Sequence, residues 1–308
     1  MKAAFFMKNG GPEVMQYGEV PDPVAGPGQV LVDVHAASVN GADWKVRAGH
    51  YAPITTFPYI PGRDFSGVVG ALGAGVSEFA VGDPVFGVCE VGSEAAYAEK
   101  IAIRSAIVAK KPQSLSHIEA AALGLIGLTA LVSIEDTLQL KAGETILIQG
   151  GAGGVASFAV QLARHIGARV ITSASAANHD YLRKLGADQI IDYHSQDFTQ
   201  VVSGCDAVFD TVGGDVAKRS FAVLRPGGRA AFIASGNTAP VPPRADVASL
   251  RPKVGRDRAH LERIVALVAG GAVRVPEIRT YKLSEAAAAH RVSEGRHFRG
   301  KLVFKVRE

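Results

Sequence analysis

The sequence predicts an α/β protein in two parts: a β-rich, barrel-like first domain and a doubly wound parallel sheet. Three observations predict it. An apolar run, Thr145-Ile146-Leu147-Ile148-Gln149, ends in the glycine cluster Gly150-Gly151-Ala152-Gly153-Gly154, which opens directly into a helical pattern. From there to residue 234, strand-like and helix-like segments alternate, the signature of a parallel sheet. Before it, residues 1–113 consist of short apolar runs separated by Pro and Gly.

In chain order, Gly28-Gln29-Val30-Leu31-Val32-Asp33-Val34 and Asp64-Phe65-Ser66-Gly67-Val68-Val69-Gly70 typify the strands of the first part. At the glycine cluster, Gly151, Gly153 and Ala156 fill the three small positions of G-x-G-x-x-G/A. They serve a tight turn, close approach of a pyrophosphate, and packing of helix on strand. Gly150, Gly151, Gly153, Gly154 and Val155 are the candidate pyrophosphate cradle, because N–H groups at a helix start attract an anion. Val155, Phe158, Ala159, Leu162, Ala163 and Ile166 recur at helical spacing, and Gly167 supplies a left-handed C′ residue. Arg169-Val170-Ile171-Thr172-Ser173 then closes a β-α-β unit of about 30 residues.

The end of that second strand bears on the coenzyme. An NAD site places Asp or Glu roughly 20 residues past the glycines to bind the ribose 2′-hydroxyl. Here the run Ser173-Ala174-Ser175-Ala176-Ala177-Asn178-His179 has no carboxylate, and Ser173, Ser175 and Asn178 are donors suited to a 2′-phosphate. This predicts NADPH; the same run also reads as a helix-capping loop.

Further strands are predicted at 189–191, 206–210 and 229–234, with helices at 181–185 and 216–224, the latter stopped by Arg225-Pro226-Gly227-Gly228. Val212 and Ala234, at the carboxyl ends of two strands, are placed at the nucleotide crevice. Helical patterns at 261–269 and 284–293 precede a terminal strand at 301–306 that returns to the first domain. The predicted division is 1–118, completed by 270–308, and 119–269.

A chain of 308 residues exceeds one compact core. With 47% hydrophobic and 20% charged residues the composition is that of a globular protein. No uninterrupted apolar run of about 20 residues reads as a membrane span. The start, Met1-Lys2-Ala3-Ala4-Phe5-Phe6-Met7-Lys8-Asn9, is too polar for a signal segment, which predicts a cytoplasmic protein without a membrane partner. The net charge of +4 is dispersed, without a basic run, which excludes nucleic acid as the expected partner. Cys89 and Cys205 give no disulfide framework and read as small buried hydrophobes.

Five motifs, in order along nearly the whole chain, resemble the zinc-independent, quinone-oxidoreductase-like branch of the medium-chain dehydrogenase/reductase superfamily. They are Ala36-Ala37-Ser38-Val39-Asn40-Gly41-Ala42-Asp43-Trp44-Lys45, Pro61-Gly62-Arg63-Asp64-Phe65-Ser66-Gly67, Val81-Gly82-Asp83-Pro84-Val85-Phe86-Gly87, the glycine turn with Ala159-Val160-Gln161-Leu162-Ala163, and Leu185-Gly186-Ala187-Asp188. The resemblance implies a GroES-like β-barrel catalytic domain, a Rossmann domain and a cleft between them. It places the zinc-ligand positions of related alcohol dehydrogenases at Asn40, Arg63 and Leu125, so no metal is expected. The nine histidines show no paired ligand spacing.

Without a Lewis acid, chemistry moves to acceptors already electrophilic, a quinone or an α,β-unsaturated carbonyl, whose developing oxyanion needs only hydrogen-bond donors. By the resemblance, the loop from Asn40 to Tyr51 faces the nicotinamide; Asn40 and Tyr51 are the candidate donors, and Asp43 with Lys45 reads as a structural ion pair or network shaping that loop. Thr129 corresponds to a position beside the nicotinamide; its other reading is a helix hydroxyl bonded to the preceding turn. Tyr193 matches a position near the 2′-phosphate, or is a surface tyrosine. The Pro-rich run 235–243 reads as a rim of the substrate mouth. The family, with the apolar strand 229–234 as an exposed edge, predicts a homodimer joined sheet to sheet. Beside the quinone or enone reductase stand a nitro or polyketide-type enoyl reductase and a non-catalytic, redox-sensing NADPH-binding protein.

Overall fold

Burial alternates along Gln29–Val39 through His35 and is continuous from Ala36, so this strand has one solvated stretch and one that is covered on both faces. It is the hub of the first of two units in the computed structural model, which describes residues 1–51, 53–236 and 238–307. The first unit comprises 1–125, 256–269 and 275–308, and the second 126–255 with 270–274.

In chain order the first unit begins with β1 (Lys2–Phe5), β2 (Gln16–Glu19), β3 (Gln29–Val39), α1 (Gly41–Arg47), β4 (Asp64–Leu72), β5 (Pro84–Val88), β6 (Lys100–Arg104) and β7 (Val108–Lys110). Then α2 (His117–Leu131) runs into a π-helical turn, Val132–Thr137, and the division between the units falls within α2. The second unit holds β8 (Thr145–Gln149), α3 (Gly154–Ile166), β9 (Arg169–Ala174), α4 (His179–Lys184), β10 (Gln189–Asp192), α5 (Phe198–Val201), β11 (Cys205–Asp210), α6 (Gly214–Arg219), β12 (Leu224–Phe232) and β13 (Ala248–Leu250). The chain then returns to the first unit with α7 (Arg258–Ala269), β14 (Ile278–Lys282), α8 (Ala286–Gly295) and β15 (Lys301–Lys305).

In the first unit β4 lies antiparallel along one edge of β3, while β6 and β15 share the other: β6 pairs with Gln29–Asp33 and β15 with Ala36–Val39. The C-terminal strand therefore completes this sheet, as expected, and its Phe304 packs edge-on against Tyr97 in the core with centroids 4.7 Å apart. The segment Asn40 to Arg47, expected as a loop, is the capped helix α1.

The second unit is a six-stranded, all-parallel sheet in the order β10-β9-β8-β11-β12-β13. Counted from β8 this is the 3-2-1-4-5-6 order of the Rossmann fold, whose reversal beside the first strand opens a ligand crevice at the strands' carboxyl ends. Helix α3 is buried from Ala156 to Ala163 and stops at Gly167, left-handed with φ +93°.

Three expectations change. Helix α7, placed in the second domain by sequence, belongs to the first: Arg258 donates to the carbonyls of Val108 (2.9 Å) and Ser105 (2.8 Å) and pairs with Glu78 at 3.0 Å. Strand 229–234 is not an edge, because β13 pairs with it through Arg229–Ala231, so the exposed-edge argument for a dimer fails. The helix predicted over 216–224 ends at Arg219, and Leu224 to Gly228 joins β12 through a register shift opposite Cys205. In addition, His117–Thr137 is, among the described residues, long and apolar enough to cross a membrane, a feature that a count of uninterrupted apolar residues passes over; most of it is buried in the protein.

Candidate active site

Two glycines of the nucleotide turn leave little room for a larger residue. Gly150 has φ +76°, and a Cβ on Gly151 would lie 2.2 Å from Thr172 Oγ1. That hydroxyl is held by its own bond to the Ile148 carbonyl, 2.7 Å. The Gly150 N–H donates to Ser173 Oγ (3.1 Å), and the Gly151 N–H to the Ser173 carbonyl (2.9 Å). Gly153 is the N-cap of α3, and the first amide to enter the helix ladder is that of Ser157. The N–H groups of Gly154, Val155 and Ala156 thus begin the helix without an intrahelical acceptor, the arrangement that receives an anion.

At the end of β9 the three expected phosphate donors separate. Ser173 is buried, and its hydroxyl donates to Gln149 Oε1 at 2.6 Å. Its only proton is committed inside the turn, which corrects its expected role: Ser173 braces the glycine loop. Ser175 and Asn178 are half-buried and bonded to each other, Asn178 Nδ2 donating to Ser175 Oγ at 3.0 Å. Tyr193 is 51% exposed and packs on His194.

Val212 and Ala234 follow the carboxyl ends of β11 and β12. Asp210 accepts from the N–H of Val212 (3.3 Å) and Gly213 (2.9 Å), while a Cβ on Gly213 would sit 2.5 Å from the Ala234 carbonyl. Burial raises the Asp210 pKa. Thr129 is buried on α2, where its carbonyl accepts from Ser133 Oγ, 2.6 Å. Of the rim at 235–243, Asn237 lies outside the described residues.

Asn40 and Tyr51 belong to the first unit. Asn40 caps α1, and the Asp43 carboxylate accepts from the Asn40 N–H (2.9 Å) and from the Tyr97 hydroxyl (2.8 Å). Burial pushes Asp43 up to about 6. Lys45 Nζ lies 5.7 Å from the Trp44 ring centre.

The Asn40 side chain is buried between two charged residues. Its Nδ2 donates to Asp64 Oδ2 (2.8 Å), and its Oδ1 accepts from Lys301 Nζ (2.8 Å). Asp64 also receives the Ser38 hydroxyl and the Leu125 N–H (2.7 Å). Tyr51 is 43% exposed, with the Arg63 guanidinium 5.7 Å from its ring centre. Arg63 pairs with Glu94 at 3.0 Å, and Tyr59 donates to the same carboxylate. Tyr51, Thr55, Thr56, Tyr59 and Glu94 line a hollow of about 230 Å³.

Gln149, Asp64 and Lys301, not singled out from the sequence, bond to the candidate residues Ser173 and Asn40. Gln149 ends an apolar strand, Lys301 begins one, and Asp64, next to Arg63, begins another. Each is a polar residue at the margin of a buried strand.

Family profiles match two stretches: an alcohol dehydrogenase GroES-like domain over residues 26–113, and a zinc-binding dehydrogenase over 185–304. A 2-haloacrylate reductase of a Burkholderia species is 32% identical over 327 residues, covering 98% of both chains. The quinone oxidoreductase of Coxiella burnetii superposes with a TM-score of 0.92 at 36% identity, covering 100% of this chain and 99% of that one. The Escherichia coli quinone oxidoreductase complexed with NADPH superposes with a TM-score of 0.91 at 27% identity, covering 99% and 100%.

The zinc in the second profile's description finds no fit in the residues at the ligand positions. Asn40 Oδ1 faces the Lys301 ammonium, Arg63 is a cation held by Glu94, and Leu125 has no ligating side-chain atom. Three Lewis-base side chains are what a catalytic zinc requires. Cys89, the nearest thiol in sequence, is pushed up to about 12 by burial and is a poor source of thiolate.

Proposed function

The chain belongs to the quinone oxidoreductase-like branch of the medium-chain dehydrogenase/reductase superfamily, and from that premise we propose that it is an NADPH-dependent reductase of quinones or α,β-unsaturated carbonyls. The observation that carries the reading is the nucleotide turn itself: open N–H donors at the start of α3, with no carboxylate from Ser173 to His179 to repel a 2′-phosphate. The NADPH complex of the related Escherichia coli enzyme supports it. When bound, NADPH supplies a hydride to the acceptor.

The chain's own residues then have separable tasks. Gly154 and Val155 hold the pyrophosphate with backbone N–H groups, while Ser175, Asn178 and Tyr193 border the 2′-phosphate. Val212 and Ala234 line the crevice wall, and Thr129 sits beside the nicotinamide. Asn40 donates to the oxygen on which charge develops, and Tyr51 stands near it as a second donor. A quinone or enone suits such neutral donors, because the accepted charge is delocalised onto that one oxygen. Haloacrylate reduction by the Burkholderia relative is chemistry of this class, an activated double bond.

The test is NADPH oxidation with quinones, enones and simple ketones side by side, with and without a chelator. Turnover of the first two classes, unchanged by chelation, is expected, and Asn40→Ala lowers kcat roughly 10- to 100-fold with little change in NADPH affinity. Tyr51→Phe costs less, since solvent can protonate the product. Tight NADPH binding without turnover of any acceptor would leave the non-catalytic reading; chelator-sensitive oxidation of simple alcohols would overturn both.

A further inference from the structure

Asn40 is held by partners of opposite and fixed polarity. An ammonium has three donors and no acceptor, so the Asn40 atom facing Lys301 at 2.8 Å is the amide oxygen. Asp64 receives the Ser38 hydroxyl, the Leu125 N–H and, at 3.6 Å, the Lys301 ammonium; surrounded by donors, it acts only as an acceptor. The atom facing it is therefore the amide nitrogen. Rotating the amide by 180° would set N–H against ammonium and carbonyl oxygen against carboxylate. All three side chains are buried, so water cannot relieve that mismatch.

Lys301 is itself fixed, because Nζ also donates to the Val39 carbonyl at 2.9 Å, and because Lys301 opens β15, which pairs with β3 beside Asn40. Burial lowers the Lys301 pKa, and the nearby Asp64 and Asp43 carboxylates oppose that shift.

We propose that Lys301 and Asp64 are positioning residues for the reaction: together they lock the Asn40 amide in one orientation, with one N–H bound to Asp64 and the second left to meet the acceptor oxygen. This rests on the reading of Asn40 as the oxyanion donor. An amide held this way needs no reorientation as charge develops, which is what a preorganised donor contributes.

Lys301→Met and Asp64→Asn each free the amide to turn. Each is expected to lower kcat about tenfold or more, with KM for NADPH changed less than about twofold, since misdirecting a donor by a fraction of an ångström is felt at the reacting centre. The decisive measurement is the double variant. In an Asn40→Ala background, adding Lys301→Met should leave kcat within about twofold of Asn40→Ala alone, whereas a general structural defect would lower it again.

Should Lys301→Met fail to fold, Asp64→Asn and its double variant with Asn40→Ala carry the same test. Unchanged kcat in Asp64→Asn, or a second full loss in the double variants, overturns the proposal. Unchanged kcat in Asn40→Ala overturns the donor reading itself, so the two failures are distinguishable.

Discussion

A serine hydroxyl has one proton to give, and at Ser173 it goes to Gln149, while the oxygen takes the Gly150 N–H. Ser175, two residues on, faces Asn178 at the half-buried end of the strand. The two serines should therefore respond differently to substitution. Ser175→Glu places a carboxylate beside the expected 2′-phosphate and should weaken NADPH at least about tenfold, roughly 1.4 kcal/mol, while sparing NADH. Ser173→Ala leaves a buried acceptor and a backbone donor unpaired, so it should cost about 1–3 kcal/mol of folding stability and weaken both coenzymes alike. Fluorescence titration with each coenzyme, beside a denaturant melt, separates the outcomes. Equal loss of both coenzymes in Ser175→Glu would refute its placement.

At the scale of elements, the strand-turn-helix from β8 to α3 is the part most nearly written in local sequence. Thr145–Gln149 and Gly154–Ile166 form where the apolar run and the helical spacing place them, and Gly167 closes the helix left-handed. The tightest steric demand in the turn is at Gly151, where Thr172 Oγ1 cannot retreat without breaking its bond to Ile148. Gly151→Ala should then cost about 1–3 kcal/mol through overpacking and weaken NADPH, measured by melting and titration. A neutral effect on both would show that the turn relaxes freely. By contrast α1, with seven residues, is too short for a periodicity to declare itself, and its capping carboxylate Asp43 reads equally well as a loop charge.

At the scale of the whole molecule, two buried groups of the first unit act on acid stability with opposite sign. Arg47 can only donate, so His290 Nδ1, 3.0 Å from it, accepts and the ring is neutral. Burial, with the Arg47 charge, holds His290 down at about 3. Below about 6.5 the unfolded chain takes up a proton that the native ring refuses, so stability falls as pH drops from there toward 3. Asp43, kept protonated up to about 6 by burial, acts in reverse: its contribution is complete at low pH and is lost as pH rises from about 4 to 6. His290→Leu should flatten the stability difference between pH 7 and pH 4.5 by roughly 2–3 kcal/mol, read from denaturant unfolding at both pH values. Asp43→Asn should steepen it. An unchanged pH slope in His290→Leu would assign the acid limb to other groups.

Features that depend on neighbours a few residues away were legible in the chain alone. The parallel alternation, the glycine turn, the left-handed stop at Gly167 and the missing carboxylate after β9 all follow from period, turn chemistry and short spacing. The tertiary structure decided what depends on who stands opposite. It put β13 against Arg229–Ala231 and so removed the edge on which a dimer was argued, and it carried α7 to Val108 and Ser105 of the first unit. It also turned the Ser173 hydroxyl inward to Gln149 and set Lys301 against Asn40, 261 residues earlier in the chain. Strand edges and hydrogen-bond polarity are settled by partners distant in sequence, and a periodicity carries no record of which partner will arrive.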